Sequence, residues 1–307
     1  MKGSAEIICV GSELLLGDIV NTNAQFLAQE LAQLGISHYY QTVVGDNPLR
    51  IQRAVAIACE RSRLLLFTGG LGPTPDDLTH ETLADFFDAP LAERPAVIAD
   101  IQQKYERRGR TMAASNRKQA LLPEGADILP NPAGSAPGII WEPRPGLVLM
   151  TFPGVPKEMH VMWQTPAVPY LQDEGWAADP IYSRTLKFWG IGESDLAEQV
   201  NHLFDRDNPT VAPYASQGTV KLRISARAAS EAAAIALIEP VADEILKLAP
   251  GPYYGSDDDT LASVVGDRLR QTGQTLAVDE SSTRGGKGHM LDEVAGSSTY
   301  FMGGIIS

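Results

Sequence analysis

Basic residues are in short supply: 25 Lys and Arg face 38 Asp and Glu, a formal charge of -13 over 307 residues. Neutralising a nucleic-acid backbone takes clustered cations, so this balance argues against DNA or RNA as a direct partner, while leaving room for local basic sites. Cysteine is nearly absent. Cys9 and Cys59 each sit in an apolar segment, Ile7-Ile8-Cys9-Val10 and Ala56-Ile57-Ala58-Cys59, which reads as two buried free thiols rather than a disulfide or a metal site, and fits a reducing cytoplasm. The first residues lack the apolar core of a signal peptide, and no run approaches the ~20 apolar residues that span a bilayer, so no membrane segment is expected. The five histidines, His38, His80, His160, His202 and His289, show no metal-ligand spacing and no local Ser or Cys partner, which makes them packed or surface residues. Two common phosphate signatures are missing as well: no Gly-Lys-Ser/Thr of a Walker A loop and no G-x-G-x-x-G.

What is present is a hydrophobic content of 44%, enough for substantial cores and, at this length, for about two or three domains. The first part alternates strands and helices. A strand over 5–10 is followed by Gly11-Ser12-Glu13-Leu14-Leu15-Leu16-Gly17-Asp18 and a helix over 23–34, with Leu27, Leu31 and Leu34 on one face and Gly35 at the stop position. A strand over 38–44 leads to Asp46-Asn47-Pro48, a capping side chain ahead of a first-turn proline, and to a helix with Ile51, Val55 and Ala58 on its buried face. A strand over 64–67 comes next. Two such crossovers imply the α/β class, with parallel strands, helices on both faces and ligands at the strand C-terminal ends. That rule brings the 13–18 loop, the Asp46 turn and the loop after residue 67 to one edge.

This last loop, Thr68-Gly69-Gly70-Leu71-Gly72-Pro73-Thr74-Pro75-Asp76-Asp77, carries the strongest signal. Glycines let the backbone approach a ligand, and the amides and dipole of a following helix favour an anion such as phosphate. Asp76 and Asp77 would repel phosphate unless one caps the helix or one holds a divalent cation that bridges to it. A glycine-rich turn with Asp77 or Thr79 as helix cap is the competing reading. Further small-residue loops at strand ends, 130–138 and 152–159, point to one shared ligand cleft. Gly69, Gly70 and Gly72 are expected to contact phosphate, and Asp77 the metal or its water. Glu13, Asp18 and Glu158 compete for the remaining metal or base roles. Asn21 and Asn23 suit either sugar or base binding or helix capping, and Lys157 either a phosphate contact or plain solvation.

The segments Gly11 to Asn23, Thr68 to Asp77, Asn131-Pro132 with Ala136-Pro137-Gly138, and Phe152-Pro153-Gly154-Val155-Pro156 together resemble the CinA competence/damage-inducible family. Its N-terminal domain is similar to the molybdopterin-binding domains of MogA and MoaB. The resemblance implies a parallel-sheet nucleotide-binding domain over 1–174, a small α+β middle domain over 175–254 and an incomplete α/β amidase segment over 255–307. It implies hydrolysis of ADP-ribose to AMP and ribose 5-phosphate, dependent on Mg2+ or another divalent cation and assisted by K+. From the chemistry of the loop residues, the catalytic set expected for that reaction is Asp77, Glu13 and Glu158, and the metal set Asp77 and Asp18. The substrate set is Gly11, Asn21, Asn23, Thr68, Gly69, Gly70, Gly72, Thr74, Asn131, Gly154 and Lys157. It also implies a homodimer paired through the middle domain. A molybdopterin or other nucleotide-handling enzyme and a non-catalytic nucleotide-binding regulator remain open, because phosphate grip and phosphate cleavage use the same loop.

From about residue 175 a strand over 182–189, a helix through Leu203, a hairpin around Gln217-Gly218 and an Ala-rich helix over 231–248 are expected, with Lys221 and Arg223 on a solvated strand face. The acidic run Gly255-Ser256-Asp257-Asp258-Asp259 reads as a flexible linker. In the resembling amidase domain the nucleophile lies in Ala-Glu-Ser-Cys-Thr-Gly-Gly, where this chain has Asp279-Glu280-Ser281-Ser282-Thr283-Arg284-Gly285. Ser281 is thus a degenerate nucleophile, and the family's base is expected beyond Ser307, so nicotinamide-mononucleotide amidase activity is expected to be absent.

Overall fold

The computed structural model describes residues 3–216 and 218–307, which divide into two compact units, residues 1–180 and 181–307. In the first unit the strands are β1 (Ala5–Val10), β2 (His38–Val44), β3 (Leu64–Thr68), β4 (Leu91–Glu93), β5 (Leu121–Pro123), β6 (Asp127–Leu129), β7 (Gly138–Arg144) and β8 (Leu147–Phe152). One sheet runs β2-β1-β3-β8-β7-β6; its first four strands are parallel, β7 pairs antiparallel with β8, and β6 pairs antiparallel with β7. The short β4 and β5 pair separately.

Strands β1, β3 and β8 are buried throughout, which is why they read as near-continuous apolar runs. The two-residue period divides their side chains between two cores. Ala5, Ile7, Cys9, Leu64, Leu66, Met150 and Phe152 face one, while Ile8, Val10, Leu65, Phe67 and Leu149 face the other. The first is closed by Leu27 and Leu31 of the helix Thr22–Gln33 and by Met159 and Met162 after β8. The second is closed by Ile51, Val55 and Ala58 of the helix Pro48–Arg61, with Leu83, Val97 and Ile101 farther along. The helical faces expected from the spacing of Leu27 with Leu31, and of Ile51 with Val55 and Ala58, are the buried ones. The caps agree too, since Asn21 accepts from Ala24 N and Asn47 from Arg50 N. Cys9 and Cys59 are free thiols.

In the second unit, β9 (Ile181–Trp189), β10 (Thr210–Ser216), β11 (Thr219–Arg227) and β12 (Tyr253–Ser256) form an antiparallel sheet in the order β10-β11-β9-β12. The long helix Glu231–Leu248 packs on it through Ala234, Ile238, Val241 and Ile245. Gln217 of the expected hairpin turn lies outside the described residues. The acidic linker expected over 255–259 is not what the structure shows. Its start belongs to edge strand β12, the Asp257 carboxylate accepts from Thr185 N at 2.8 Å, and Asp259 accepts from Ser256 N at 2.8 Å. A Gly-Ser-Asp composition serves tight turns as readily as linkers. Beyond it, β13 (Leu276–Glu280) and β14 (Phe301–Ile306) pair in parallel over a small core of Ala262, Leu291 and Tyr300. Among the described residues no helix is long and apolar enough to cross a membrane.

Candidate functional site

At the C-terminal edge of the parallel strands of the first unit lies a cleft of about 420 Å³. It gathers Gly11 and Glu13 after β1, Asp46 after β2, the Gly69-to-Gly72 turn with Asp76 and Asp77 after β3, and Gly154 with Glu158 after β8. Loops more than a hundred residues apart meet here because parallel strands all end on one side of the sheet.

The glycines also seat the carboxylates. A Cβ on Gly72 would lie 2.4 Å from Asp77 Oδ2, one on Gly11 2.5 Å from Glu13 Oε1, and one on Gly134 within 1.9 Å of Glu158 Oε2. Each of the three carboxylates singled out as catalytic therefore occupies the space beside a glycine that a Cβ would contest. Asp77 does not cap the helix that follows it, Thr79–Phe86, whose N-cap position is Leu78 with no side-chain bond. Its Oδ2 accepts from Thr74 N at 2.9 Å and shares the Thr74 hydroxyl with Asp76, closing the turn. That hydroxyl contact also holds the Asp76 carboxyl below the usual carboxylate range. Thr79, the other expected cap, instead donates its hydroxyl to Gly69 O at 2.8 Å.

The remaining expected site residues divide by position. Asn21, Asn23 and Thr68 line a neighbouring slot rather than the cleft itself. Asn131 is buried with its side chain fully engaged: Nδ2 donates to Ala136 O and to Glu158 Oε2 (2.7 Å), and Oδ1 accepts from Ala133 N and Gly134 N. It positions Glu158 and the 131–136 turn instead of facing a ligand. Thr74 is exposed and occupied with the two aspartates. Asp18 and Lys157 are exposed, and neither is among the cleft-lining residues.

Asp46, whose turn the sequence places at this edge, has a role the sequence does not show, and Gln119 and Lys118 carry no sequence signal. Asp46 accepts from Ser12 N at 2.7 Å and from Ser12 Oγ at 2.8 Å, tying the first helical turn, Ser12–Leu16, to the end of β2. Gln119, from the 3-10 segment Ala114–Ala120, is buried in the wall and donates to Leu71 O at 3.3 Å. Next to it Lys118 Nζ donates to Thr74 O at 3.1 Å. Among the described residues no Lys or Arg lines the cleft, so its charge is predominantly acidic, although Lys118 stands near enough to act on Asp76. Among the described residues no three His, Cys, Asp or Glu side chains form a ready metal cage.

Beneath the glycine turn, buried His80 bonds Thr151 Oγ1 at 2.8 Å, and burial pushes its pKa down to about 4 from 6.5. The folded state thus prefers the neutral ring, and the unfolded chain binds the extra proton first. Stability is complete above pH 6.5 and falls as pH drops toward 4, by up to about 3 kcal/mol from this residue. Denaturant midpoints from pH 7 to pH 4.5 are expected to fall less steeply in His80→Gln than in the wild type; equal slopes would contradict this.

Residues 6–173 match the family described as a probable molybdopterin binding domain, residues 183–255 the damage-inducible protein CinA KH domain, and residues 258–307 the CinA C-terminal domain. A CinA-like protein of Rippkaea orientalis is 66% identical over 304 residues, which are 99% of this chain and 73% of that protein. One from a Cyanothece species is 64% identical over 307 residues, 100% of this chain and 73% of that one. A crystal structure of the protein CinA, of unknown function, from Thermoplasma acidophilum aligns with a TM-score of 0.51 at 34% identity, over 57% of this chain and 99% of that one.

Proposed function

The chain belongs to the CinA family, and from that premise we propose that its first unit hydrolyses the pyrophosphate of ADP-ribose to AMP and ribose 5-phosphate, using a divalent cation such as Mg2+ and assisted by K+. One observation carries the reading: a glycine-rich cleft at the parallel strand ends is lined by Glu13, Asp46, Asp76, Asp77 and Glu158 and, among the described residues, by no Lys or Arg, with Lys118 standing outside it near Asp76. A diphosphate entering such a site is repelled unless a cation comes with it. Mg2+ keeps several waters and binds through one or two carboxylates plus the substrate's own phosphate oxygens, so the proposal needs only a pair of carboxylates here. Asp77 and Asp76 are the residues to hold it, and once bound the cation neutralises charge on the phosphate oxygens.

The chain's own groups supply the rest. The backbone of residues 69–72 contacts the phosphates, and Glu13, whose carboxylate has no hydrogen-bond donor among the described residues, accepts the proton of the attacking water. Glu158 is steadied by Asn131 and orients that water or the leaving phosphate. No residue is assigned to K+. Titration calorimetry tests the metal bridge: ADP-ribose is expected to bind at least about tenfold more tightly with Mg2+ than without it. Equal affinity in the two titrations would remove the cation from the proposal.

A homodimer in the cytoplasm completes the proposal, with light scattering as the test of its assembly. Direct nucleic-acid binding is not part of it, since 183–255 contains no G-x-x-G run of the kind with which KH modules clamp nucleotides. Amidase activity is also left out. Ser281 is exposed with no hydrogen-bonded base among the described residues. Arg284, where the resembling motif has glycine, sits at φ 49°, a left-handed conformation that glycine adopts without strain. No ammonia release from nicotinamide mononucleotide is expected; release abolished by Ser281→Ala would contradict this.

A further inference from the structure

The turn over residues 130–137, between β6 and β7, places Ser135 and Ala136 in the cleft wall and lays Gly134 against the Glu158 carboxylate. It has little backbone of its own to hold it. Pro130, Pro132 and Pro137 carry no N–H, and among the described residues no backbone–backbone hydrogen bond starts or ends within the turn. Side chains hold it instead. Asn131 braces it from within, through Ala133 N, Gly134 N and Ala136 O. Two cations reach it from outside. Lys104, on the helix Pro95–Glu106, donates from Nζ to Asn131 O at 2.6 Å and to the Asp100 carboxylate, and Arg108, just past the helix end, donates to Ala133 O at 3.5 Å.

Lys104 is not a solvated surface lysine. Its side chain is 17% exposed, against 51% for that of Asp100. Ordering so long a side chain costs conformational entropy, which one ion pair to an exposed carboxylate offsets only in part. The other contact is the carbonyl of Asn131, a residue 2% exposed. Since Asn131 Nδ2 donates to Glu158 Oε2 at 2.7 Å, a line of contacts Asp100–Lys104–Asn131–Glu158 runs from the helix surface into the cleft. The helix is itself anchored in the second core by Val97 and Ile101, so it lends the turn a rigid support that three prolines and no ladder bonds do not give. We infer that Lys104 is a positioning residue: it touches no substrate, and by fixing the 131–136 turn it sets where the Glu158 carboxylate sits. The kinetic consequence rests on the hydrolase reading; the placement of Glu158 does not.

NMR of the side-chain carboxyl carbons in the full chain reads that placement directly, with the Glu158 resonance identified by its loss in Glu158→Gln. Lys104→Met keeps an apolar stem and removes the donor, and is expected to move the Glu158 resonance from its wild-type position. Asp100→Asn, at an exposed side chain that bonds only Lys104 among the described residues, is expected to move it the same way by less, and decides the matter should Lys104→Met fail to fold. In turnover of ADP-ribose at saturating Mg2+, Lys104→Met is expected to lower kcat at least about tenfold with KM within about threefold, since a misplaced group acts on the transition state more than on substrate binding. Added to Glu158→Gln, the same substitution is expected to cost less than about twofold more, because residues that act as a unit are not additive. A Glu158 resonance unmoved in both variants, or a kcat loss that multiplies in full with that of Glu158→Gln, would overturn the inference. A chain that leaves ADP-ribose intact but shifts the resonance keeps Lys104 in its role and loses the hydrolase, and one that cleaves ADP-ribose with the resonance unmoved does the reverse.

Discussion

Asp77→Asn is expected to lower AMP formation from ADP-ribose by about a hundredfold or more at saturating Mg2+, with little change in stability. The substitution isolates charge from structure. Asp77 closes the turn by accepting from Thr74 N, and an asparagine carbonyl oxygen of the same length can take that bond. The residue is half-buried in the cleft wall and the space over Gly72 remains, so no cavity or clash is created. What goes is one negative charge at the position proposed to hold the divalent cation, where loss of a single preorganised electrostatic contact commonly costs about 10²–10³ in kcat. A hundredfold loss corresponds to roughly 2.7 kcal/mol of transition-state stabilisation. Unchanged turnover with unchanged Mg2+ dependence would reduce Asp77 to a turn-closing residue.

Gly69→Ala is expected to have the largest effect on stability, about 3 kcal/mol or more. Gly69 joins three strands: its N–H donates to Phe152 O at 3.0 Å, its carbonyl accepts the Thr79 hydroxyl, and a Cβ would sit 2.0 Å from the Val10 carbonyl oxygen. Its φ of 100° adds backbone strain for any other residue. The obstacle is backbone in the centre of the sheet edge, which a rotamer change cannot relieve. Gly154→Ala is the natural control, because its Cβ would meet nothing nearer than Gly69 Cα at 3.6 Å; its midpoint is expected to shift by less than about 0.5 kcal/mol. Urea midpoints of the two variants measure the contrast, and similar shifts would show that the glycine turn tolerates a side chain.

The cleft's location was legible because it follows from topology. Once β1, β2, β3 and β8 are parallel, the loops bearing Glu13, Asp46, Asp77 and Glu158 have to share an edge, whatever their separation in sequence. What each loop residue does there was less legible. The sequence suggests Asn131 as a substrate contact, and the structure gives its side chain to Glu158 and its own turn, since an asparagine in a Pro-Gly loop offers the same donors and acceptors to a ligand and to the backbone. Asp77 was weighed as a helix cap, and the structure gives it to Thr74. Gln119 and Lys118 left no trace, coming from a 3-10 segment with neither a two-residue nor a 3.6-residue period to place it. The glycines were read as openings for a ligand backbone contact. That they also make room for the carboxylates of Glu13, Asp77 and Glu158 depends on contacts that no spacing rule encodes.

The most direct measurement of the central claim is product analysis. The purified chain is incubated with ADP-ribose, Mg2+ and K+, and AMP and ribose 5-phosphate are followed by chromatography. Equimolar AMP and ribose 5-phosphate, lost on chelation of the metal and in Asp77→Asn, is the expected result. ADP-ribose bound but recovered intact would contradict it and leave a nucleotide-binding regulator, and turnover of an adenylylated molybdopterin in its place would identify a cofactor enzyme.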